Sequence, residues 1–141
     1  MTEPAHPGRA RGFSLIELLV ALAIAAILAA AAVAAYDFAN VKGRRNVAKA
    51  CLLEAAQAME RYNTEHFSYA GATIPACTAG LDGHYVLGFA TGEPTATTYR
   101  IEAVPQGRQA SADETCGTLG IDQTGVKRAG DGSAATVDAC W

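Results

Sequence analysis

The strongest pattern in the sequence is an uninterrupted apolar stretch near the N-terminus. From Leu18 to Ala35 no side chain is charged or strongly polar. As an α-helix, which rises about 1.5 Å per residue, this stretch would be about 27 Å long, close to the minimum for crossing a bilayer. The residues before it, MTEPAHPGRARG, contain two prolines and two glycines and cannot form a stable helix. We therefore predict a membrane-spanning helix that begins near Phe13.

A helical pattern continues beyond the apolar stretch. From Asp37 to about Asn63 there is no proline, and Gly43 is the only glycine. Apolar residues recur every three or four positions, the spacing of one helix face: Ala48, Leu52, Ala55, Met59 and Tyr62. We predict one helix of about 50 residues whose second half packs against a C-terminal domain. The basic pair Arg44 and Arg45 is interpreted as part of the solvated face.

Turn signals divide the rest of the sequence into short strands. Residues Phe67–Ala79 are rich in glycine, proline and threonine and are predicted to form a loop. Four later segments have the composition of strands: His84–Ala90, Thr97–Val104, Gly117–Ile121 and Val126–Arg128. Tyr99, Ile101 and Ala103 alternate with polar residues and are expected to face the core, whereas Ala129–Trp141 is expected to be irregular. The predicted fold class is α+β, with a long N-terminal α-helix packed on an antiparallel β-sheet of three to four strands.

The cysteines are spread widely along the chain: Cys51, Cys77, Cys116 and Cys140. They form no CxxC motif, and neither His66 nor His84 lies at the spacing of a metal ligand. An even number of distant cysteines in a small domain with a limited core favours two disulfides in an oxidising compartment. Three pairings of four cysteines exist. Neither a metal site nor a cofactor is expected.

Charge and motifs disfavour two other classes of function. The formal net charge of -3 gives the protein no overall basic field, so nucleic acid is not an expected partner except through a local patch. The sequence contains no GxSxG, Walker or HExxH motif, and His66 and His84 have no evident catalytic partner. We therefore expect that the chain is not an enzyme.

Glu17 separates the interpretations of the apolar stretch. A secretory signal peptide, cleaved at one of the alanine-rich sites, would account for the stretch itself. A plain membrane anchor would also account for Arg9 and Arg11, which would hold the N-terminus in the cytoplasm. Neither explains a carboxylate within an apolar helix, which costs about 3 kcal/mol on insertion scales. Such a group usually has a partner.

The residues around Glu17 resemble a known signal. Gly12 followed by FSLIEL resembles the class III signal of type IV prepilins. The resemblance implies that a membrane peptidase cuts between Gly12 and Phe13 on the cytoplasmic side and methylates Phe13, and that the apolar segment stays in the mature protein. It also implies that Glu17 pairs with the N-terminal amine of a neighbouring subunit, because two charges buried without water need each other. Many major pilins carry a glycine and a proline where this chain has Ala26 and Ala34, which leaves open whether the helix extends in a filament.

Later parts of the chain resemble the same family. The stretches CLLEAAQAMERYNTEHFSYAGAT and CGTLGIDQTGVKRAG, with the final DACW, resemble minor pilins of the PilE kind. The resemblance implies a type IV pilin fold in four parts: a cleaved leader peptide (1–12), the transmembrane and assembly half of the helix (13–36), its amphipathic half (37–64), and a loop with a disulfide-stapled β-sheet domain (65–141). The favoured disulfides are Cys51–Cys77 and Cys116–Cys140, since the family often closes its C-terminal region in this way, with Cys77–Cys116 as an alternative.

The resulting hypothesis is a structural subunit of the type IV pilus, a minor pilin that enters the filament or primes its assembly in adhesion and twitching motility. Its partners would be other pilin subunits, the prepilin peptidase/methyltransferase and the inner-membrane assembly platform. It would start as a single-pass inner-membrane protein with a cytoplasmic N-terminus and end in the extracellular pilus, or fimbrium. The alternatives are a major pilin, a DNA-binding pilin for DNA uptake, and a type II secretion pseudopilin, which commonly lacks a C-terminal disulfide.

Overall fold

A computed structural model describes residues 12–77 and 80–141 and contains, within them, helices and strands in the order α1, β1, β2, α2, β3, β4, α3. Their bounds are α1 Leu15–His66, β1 Tyr85–Phe89, β2 Arg100–Pro105, α2 Gly107–Ala112, β3 Leu119–Asp122, β4 Lys127–Ala129 and α3 Ala134–Cys140. Contacts divide the chain into two units, Met1–Phe38 and Ala39–Trp141, which are considered separately. The expected leader, residues 1–12, lies outside the described residues apart from Gly12.

The first unit consists of the apolar part of α1. Ser14 caps this helix, because its hydroxyl accepts a hydrogen bond from the backbone N–H of Glu17 at 3.3 Å. An 18-residue window of α1 has a mean hydropathy of 2.8, and 0% of that window is buried. Among the described residues, α1 is the one helix long and apolar enough to cross a membrane. A continuous exposed aliphatic surface of this kind is stable only with lipid or other apolar helices around it.

The second unit begins with the amphipathic part of α1. Leu52 and Met59 are 0% exposed, Ala48 and Ala55 are equally buried, and Tyr62 is half-buried beside them. These side chains belong to one core with the inner face of the sheet. Complete burial of a leucine or methionine side chain stabilises a fold by about 1.5–3 kcal/mol. The prediction that this helix face forms the core is confirmed.

The end of α1 is closed by a residue in the left-handed conformation. Phe67 has a φ of 55°, and its N–H donates to the carbonyl of Asn63 at 2.7 Å. A residue with positive φ at this position commonly ends a helix. The described part of the predicted loop, residues 67–77, contains neither helix nor strand.

The four strands form one antiparallel sheet in chain order. Strand β2 lies beside β3, with Ile101 opposite Ile121 and Ala103 opposite Leu119. All four side chains are buried, and so is Tyr99 just before β2. Because successive strand residues point to opposite faces, this alternation gives the sheet one face towards the core. The α+β class and the core-facing positions predicted in this segment are confirmed.

The C-terminal segment differs from the prediction that it is irregular, because it contains α3. Ser133 caps this helix, with its hydroxyl accepting from the N–H of Thr136 at 3.2 Å, and two alanines of high helix propensity follow. A helix this short is not stable alone, and the disulfide at Cys140 holds it in place. The prediction was wrong because it rested on the glycine and serine content of the segment, whereas Ser133 is placed to cap a helix. Helix α2 is a second helix that the sequence patterns did not predict.

Gly130 occupies a position between β4 and α3 that has no room for a side chain. Its φ is 50°, and its N–H donates to the carbonyl of Cys116 at 2.7 Å. A Cβ at this position would overlap the carbonyl oxygen of Thr115. Gly132 also has a positive φ, of 77°, but nothing lies within 4 Å of the place its Cβ would take. Packing and backbone conformation thus both require the first glycine, whereas conformation alone favours the second.

We predict that Gly130→Ala destabilises the second unit by about 3 kcal/mol, because the chain beside Cys116 must move to admit the methyl group. Gly132→Ala is the matched control and should cost about 1 kcal/mol, the cost of the left-handed conformation alone. Denaturant unfolding of both variants with their disulfides intact measures the difference. Equal losses would show that the chain moves freely away from the Thr115 carbonyl.

Candidate functional site

The expected processing junction precedes the first turn of α1. Gly12 and Phe13 come before the helix, which begins at Leu15. Phe13 is 78% exposed, and nothing lies within 4 Å of the place that a Cβ would take at position 12. The bond between these residues therefore lies outside the helix, in backbone that a peptidase can reach.

Glu17 lies in the first turn of α1, three residues after its cap. The unpaired N–H groups and the helix dipole at this end favour a negative charge. From Gly12 to Ala35 the sequence contains no basic side chain that could pair with the carboxylate. Within this range, the carboxylate therefore has no cation of its own chain to pair with once water is excluded.

Two disulfides staple the second unit. Cys51 on α1 is bonded to Cys77, with 5.8 Å between their Cα atoms, and Cys116 is bonded to Cys140 on α3, with 5.5 Å between theirs. These are the pairs favoured from the sequence. The paired residues are 26 and 24 positions apart, and the chain-entropy model assigns about 3 kcal/mol to loops of this size. The described part of the chain holds no free cysteine and no group of side chains suited to a metal ion.

A buried polar network joins α1 to the segment around α2. Nη1 of Arg45 lies 2.7 Å from Oδ1 of Asp113. Gln109, which is 0% exposed, donates from Nε2 to the carbonyl of Val41 at 3.1 Å and to Oδ2 of Asp113 at 3.2 Å. The hydroxyl of Tyr85 donates to that same carboxylate oxygen at 3.4 Å. The carboxylate is therefore the centre of the network.

The solvated interpretation of Arg45 is wrong, because its side chain is only 12% exposed and is ion-paired. Its partner Asp113 is 68 positions away in sequence, so no local pattern could have revealed the pair. Arg45 also contacts the sulfur of Cys116, which places the ion pair beside the C-terminal disulfide. Removing one member of such a pair leaves a buried charge uncompensated and typically costs about 3–5 kcal/mol.

The tyrosines of the core have raised pKa values. Burial raises the pKa of Tyr85 to about 12, and the nearby Asp113 carboxylate acts in the same direction. Burial likewise raises the pKa of Tyr99, with a contribution from Glu60. Both hydroxyls are therefore neutral at physiological pH, and they act as structural hydrogen-bonding groups with no tendency to serve as bases.

Two lysines contact Trp141, the single tryptophan of the sequence. The Nζ atom of Lys49 donates to the backbone oxygen of Trp141 at 3.0 Å, and the Nζ of Lys127 lies 5.1 Å from the centroid of its ring. The indole Nε1 donates to the carbonyl of Arg128 at 2.8 Å. Trp141 was not among the residues predicted to matter, although a lone tryptophan beside Cys140 is a visible signal.

Two family models match the chain. The model described as "Type IV minor pilin ComP, DNA uptake sequence receptor" matches residues 34–120, which is more than half of the chain. The model described as "Prokaryotic N-terminal methylation motif" matches residues 8–33. Together the two matches run without interruption from the expected processing junction into β3.

A comparison with curated proteins gives no match. Among solved structures, the chain is similar to the non-core minor pilin PilV of Neisseria meningitidis, with a TM-score of 0.47 and 19% sequence identity. The similarity covers 67% of this chain and 89% of that one.

Proposed function

Because this chain belongs to the type IV minor pilin family of the ComP model, we propose that it enters the pilus after cleavage between Gly12 and Phe13 and methylation of Phe13. The observation that carries the proposal is the methylation-motif match over residues 8–33, which joins directly to the minor pilin match. The position of the junction before Leu15 supports it, since a peptidase can bind this backbone without unwinding the helix.

The proposed location before assembly is the inner membrane. The exposed apolar part of α1 is suited to a single crossing, and Arg9 and Arg11 on its N-terminal side favour a cytoplasmic N-terminus by the positive-inside rule. Disulfides persist in oxidising compartments, and the two disulfides therefore support a periplasmic location for the second unit. The protein would then leave the bilayer for the extracellular pilus.

The proposed partners follow from this route. The prepilin peptidase/methyltransferase would recognise the segment around Gly12, and the inner-membrane assembly platform would extract the cut subunit. Other pilin subunits would cover the aliphatic surface of α1 when lipid no longer does. The protein would contribute structure and not catalysis, in keeping with the structural role of pilin families.

Glu17 would set the vertical position of each incoming subunit. Glu17 follows Phe13, the proposed mature N-terminus, by four positions in the sequence. In a bundle of apolar helices without water, a new amine is best matched by a carboxylate at the same depth. Because burying both charges costs much of what their attraction returns, the pair would act as a register device more than as a source of net stability.

We predict that Glu17→Ala is still cut and folded but enters pili at least tenfold less than the parent protein, because the incoming amine has no buried partner. Glu17→Asp, one methylene shorter, should retain part of the incorporation. Glu54→Ala, which removes an exposed carboxylate from the second half of α1, is the matched control. The measurement compares membrane and sheared-pilus fractions. Incorporation of Glu17→Ala at the parent level would contradict the pairing.

A second candidate function is DNA capture within the pilus. The observation that favours it is the description of the matching family model, which names a DNA uptake sequence receptor. Exposed Lys127 and Arg128 on β4 could contact phosphates. Against this, the net charge of -3 provides no general attraction for DNA, and Arg128 already lies 3.7 Å from the Asp122 carboxylate.

We predict weak or no binding of duplex DNA by the protein at physiological salt, because so few exposed cations are grouped together. Fluorescence anisotropy with a labelled duplex, measured from low to moderate salt, checks this, since phosphate contacts give a steep salt dependence. Micromolar binding that falls when Lys127 and Arg128 are both changed to glutamine would favour DNA capture over a purely structural role.

A further inference from the structure

Ser14 determines the residue at which α1 begins. Its carbonyl accepts from the N–H of Leu18 at 3.2 Å, and among the described residues it is the first carbonyl along the chain to accept a main-chain hydrogen bond. The carbonyl and the hydroxyl of Ser14 also accept from the N–H of Glu17, at 3.1 and 3.3 Å. Serine is favoured at this position because its oxygen satisfies an N–H of the first turn that has no partner within the helix. The helix therefore starts at Leu15, directly after Ser14.

The spacing of Ser14 and Glu17 is that of a capping box, in which a serine is followed three residues later by a glutamate. In this motif the serine hydroxyl accepts from the backbone N–H of the glutamate, and that bond is present here. The motif marks the start of a helix by local chemistry alone. The sequence thus carries a helix-start signal one residue after the proposed cleavage bond between Gly12 and Phe13.

The residues before Ser14 indicate where the helix would begin without this cap. Phe13 is unsuited to the capping position because its side chain has no hydrogen-bond acceptor, whereas glycine is about as favourable there as threonine. If position 14 had no acceptor, Gly12 would be the better cap and the helix would begin at Phe13. The carbonyl of Gly12 would then accept the first helical hydrogen bond, from the N–H of Ile16 four residues later.

The carbonyl of Gly12 belongs to the bond that is cut under the proposed function. Hydrolysis of a peptide bond requires attack on the carbonyl carbon and hydrogen-bond donors directed at the oxygen, on which negative charge develops. A helical hydrogen bond would direct this oxygen to an N–H of its own chain instead. In the structure Gly12 precedes the helix, and Phe13 beside it is 78% exposed. The cap at Ser14 therefore leaves the carbonyl of Gly12 available to a peptidase.

We propose that Ser14 is a positioning residue for the cleavage between Gly12 and Phe13, because its capping hydroxyl holds the start of α1 at Leu15 and keeps the reacting carbonyl out of the helix. The proposal rests on the proposed function, which supplies the cleavage. Ser14 acts through the backbone of its own chain. Loss of the capping oxygen lowers the fraction of precursor in the cleavable form about fivefold, and the apparent affinity of the peptidase falls by the same factor.

Ser14→Thr and Ser14→Val are the matched variants, since the two side chains have the same shape but only threonine can cap a helix. Full-length precursor in detergent is incubated with the prepilin peptidase over a range of precursor concentrations, and the product is measured by mass spectrometry. We expect Ser14→Val to raise KM about fivefold at unchanged kcat, and Ser14→Thr to stay within about twofold of the parent.

Two further readouts separate the helix start from direct recognition of the hydroxyl by the peptidase. Ser14→Asn caps a helix without a hydroxyl, and its KM should stay near that of the parent. NMR chemical shifts of the Phe13 Cα in the same full-length precursors should become helical in Ser14→Val, whereas they should remain non-helical in the parent and in Ser14→Thr.

Equal KM values for Ser14→Thr and Ser14→Val would overturn the proposal. An impaired Ser14→Asn, or non-helical Phe13 shifts in an impaired Ser14→Val, would show that the peptidase contacts the hydroxyl directly and would also overturn it. A lower kcat at unchanged KM would contradict positioning through the helix. A parent precursor that is not cut between Gly12 and Phe13 would contradict the proposed processing as well, whereas a parent that is cut there no faster than Ser14→Val contradicts this proposal alone.

Discussion

The apolar surface of α1 has to be covered along its whole length, and the two parts of the helix meet this requirement differently. In the second unit, the sheet covers the stripe that includes Leu52 and Met59. In the first unit, side chains such as Leu22 and Ile27 are 66% and 70% exposed and have no protein layer over them. Since an aliphatic surface of this extent does not persist in water, lipid or neighbouring helices must supply the cover. Under the proposed function, lipid covers this surface before assembly and other pilin subunits cover it in the filament.

Within that apolar surface, Glu17 is the one group that distinguishes a filament subunit from an ordinary anchor. A membrane anchor has no use for a carboxylate at this depth, and its cost would select against it. Under the proposed function, the cut at Gly12 creates an amine at Phe13, and the amine of one subunit would pair with the Glu17 carboxylate of another. Processing and assembly would then be linked, because the cut would create the charge that Glu17 needs.

The second unit is small, and its hydrophobic core is supplemented by links between distant parts of the chain. One disulfide ties α1 to the loop after it, and the other ties the approach to β3 to α3. The ion pair of Arg45 and Asp113 connects α1 to the segment around α2, beside the second disulfide. Exposed polar surface elsewhere can vary without disturbing these links, which is suited to a domain displayed on a filament.

Much of the fold could be predicted because its signals are local. The spacing of Leu52 and Met59 identified the buried helix face, and the alternation around Ile101 identified the inner face of the sheet. Arg45 could not be assigned in this way, since its burial depends on a carboxylate far along the chain. The short helix α3 was missed for a related reason, because a disulfide and a capping serine stabilise it more than its composition suggests. The contacts of Trp141 with Lys49 and Lys127 likewise arise only when α1, β4 and the last residues come together.

The measurement that most directly tests the account is the intact mass and N-terminal sequence of the protein recovered from sheared pili. The account predicts a chain that begins with N-methylated Phe13 and lacks four hydrogens relative to the reduced form, because both disulfides are present. A chain that retains its leader, or that begins within the alanine-rich stretch as a cleaved signal peptide would leave it, would contradict the assignment as a processed pilin.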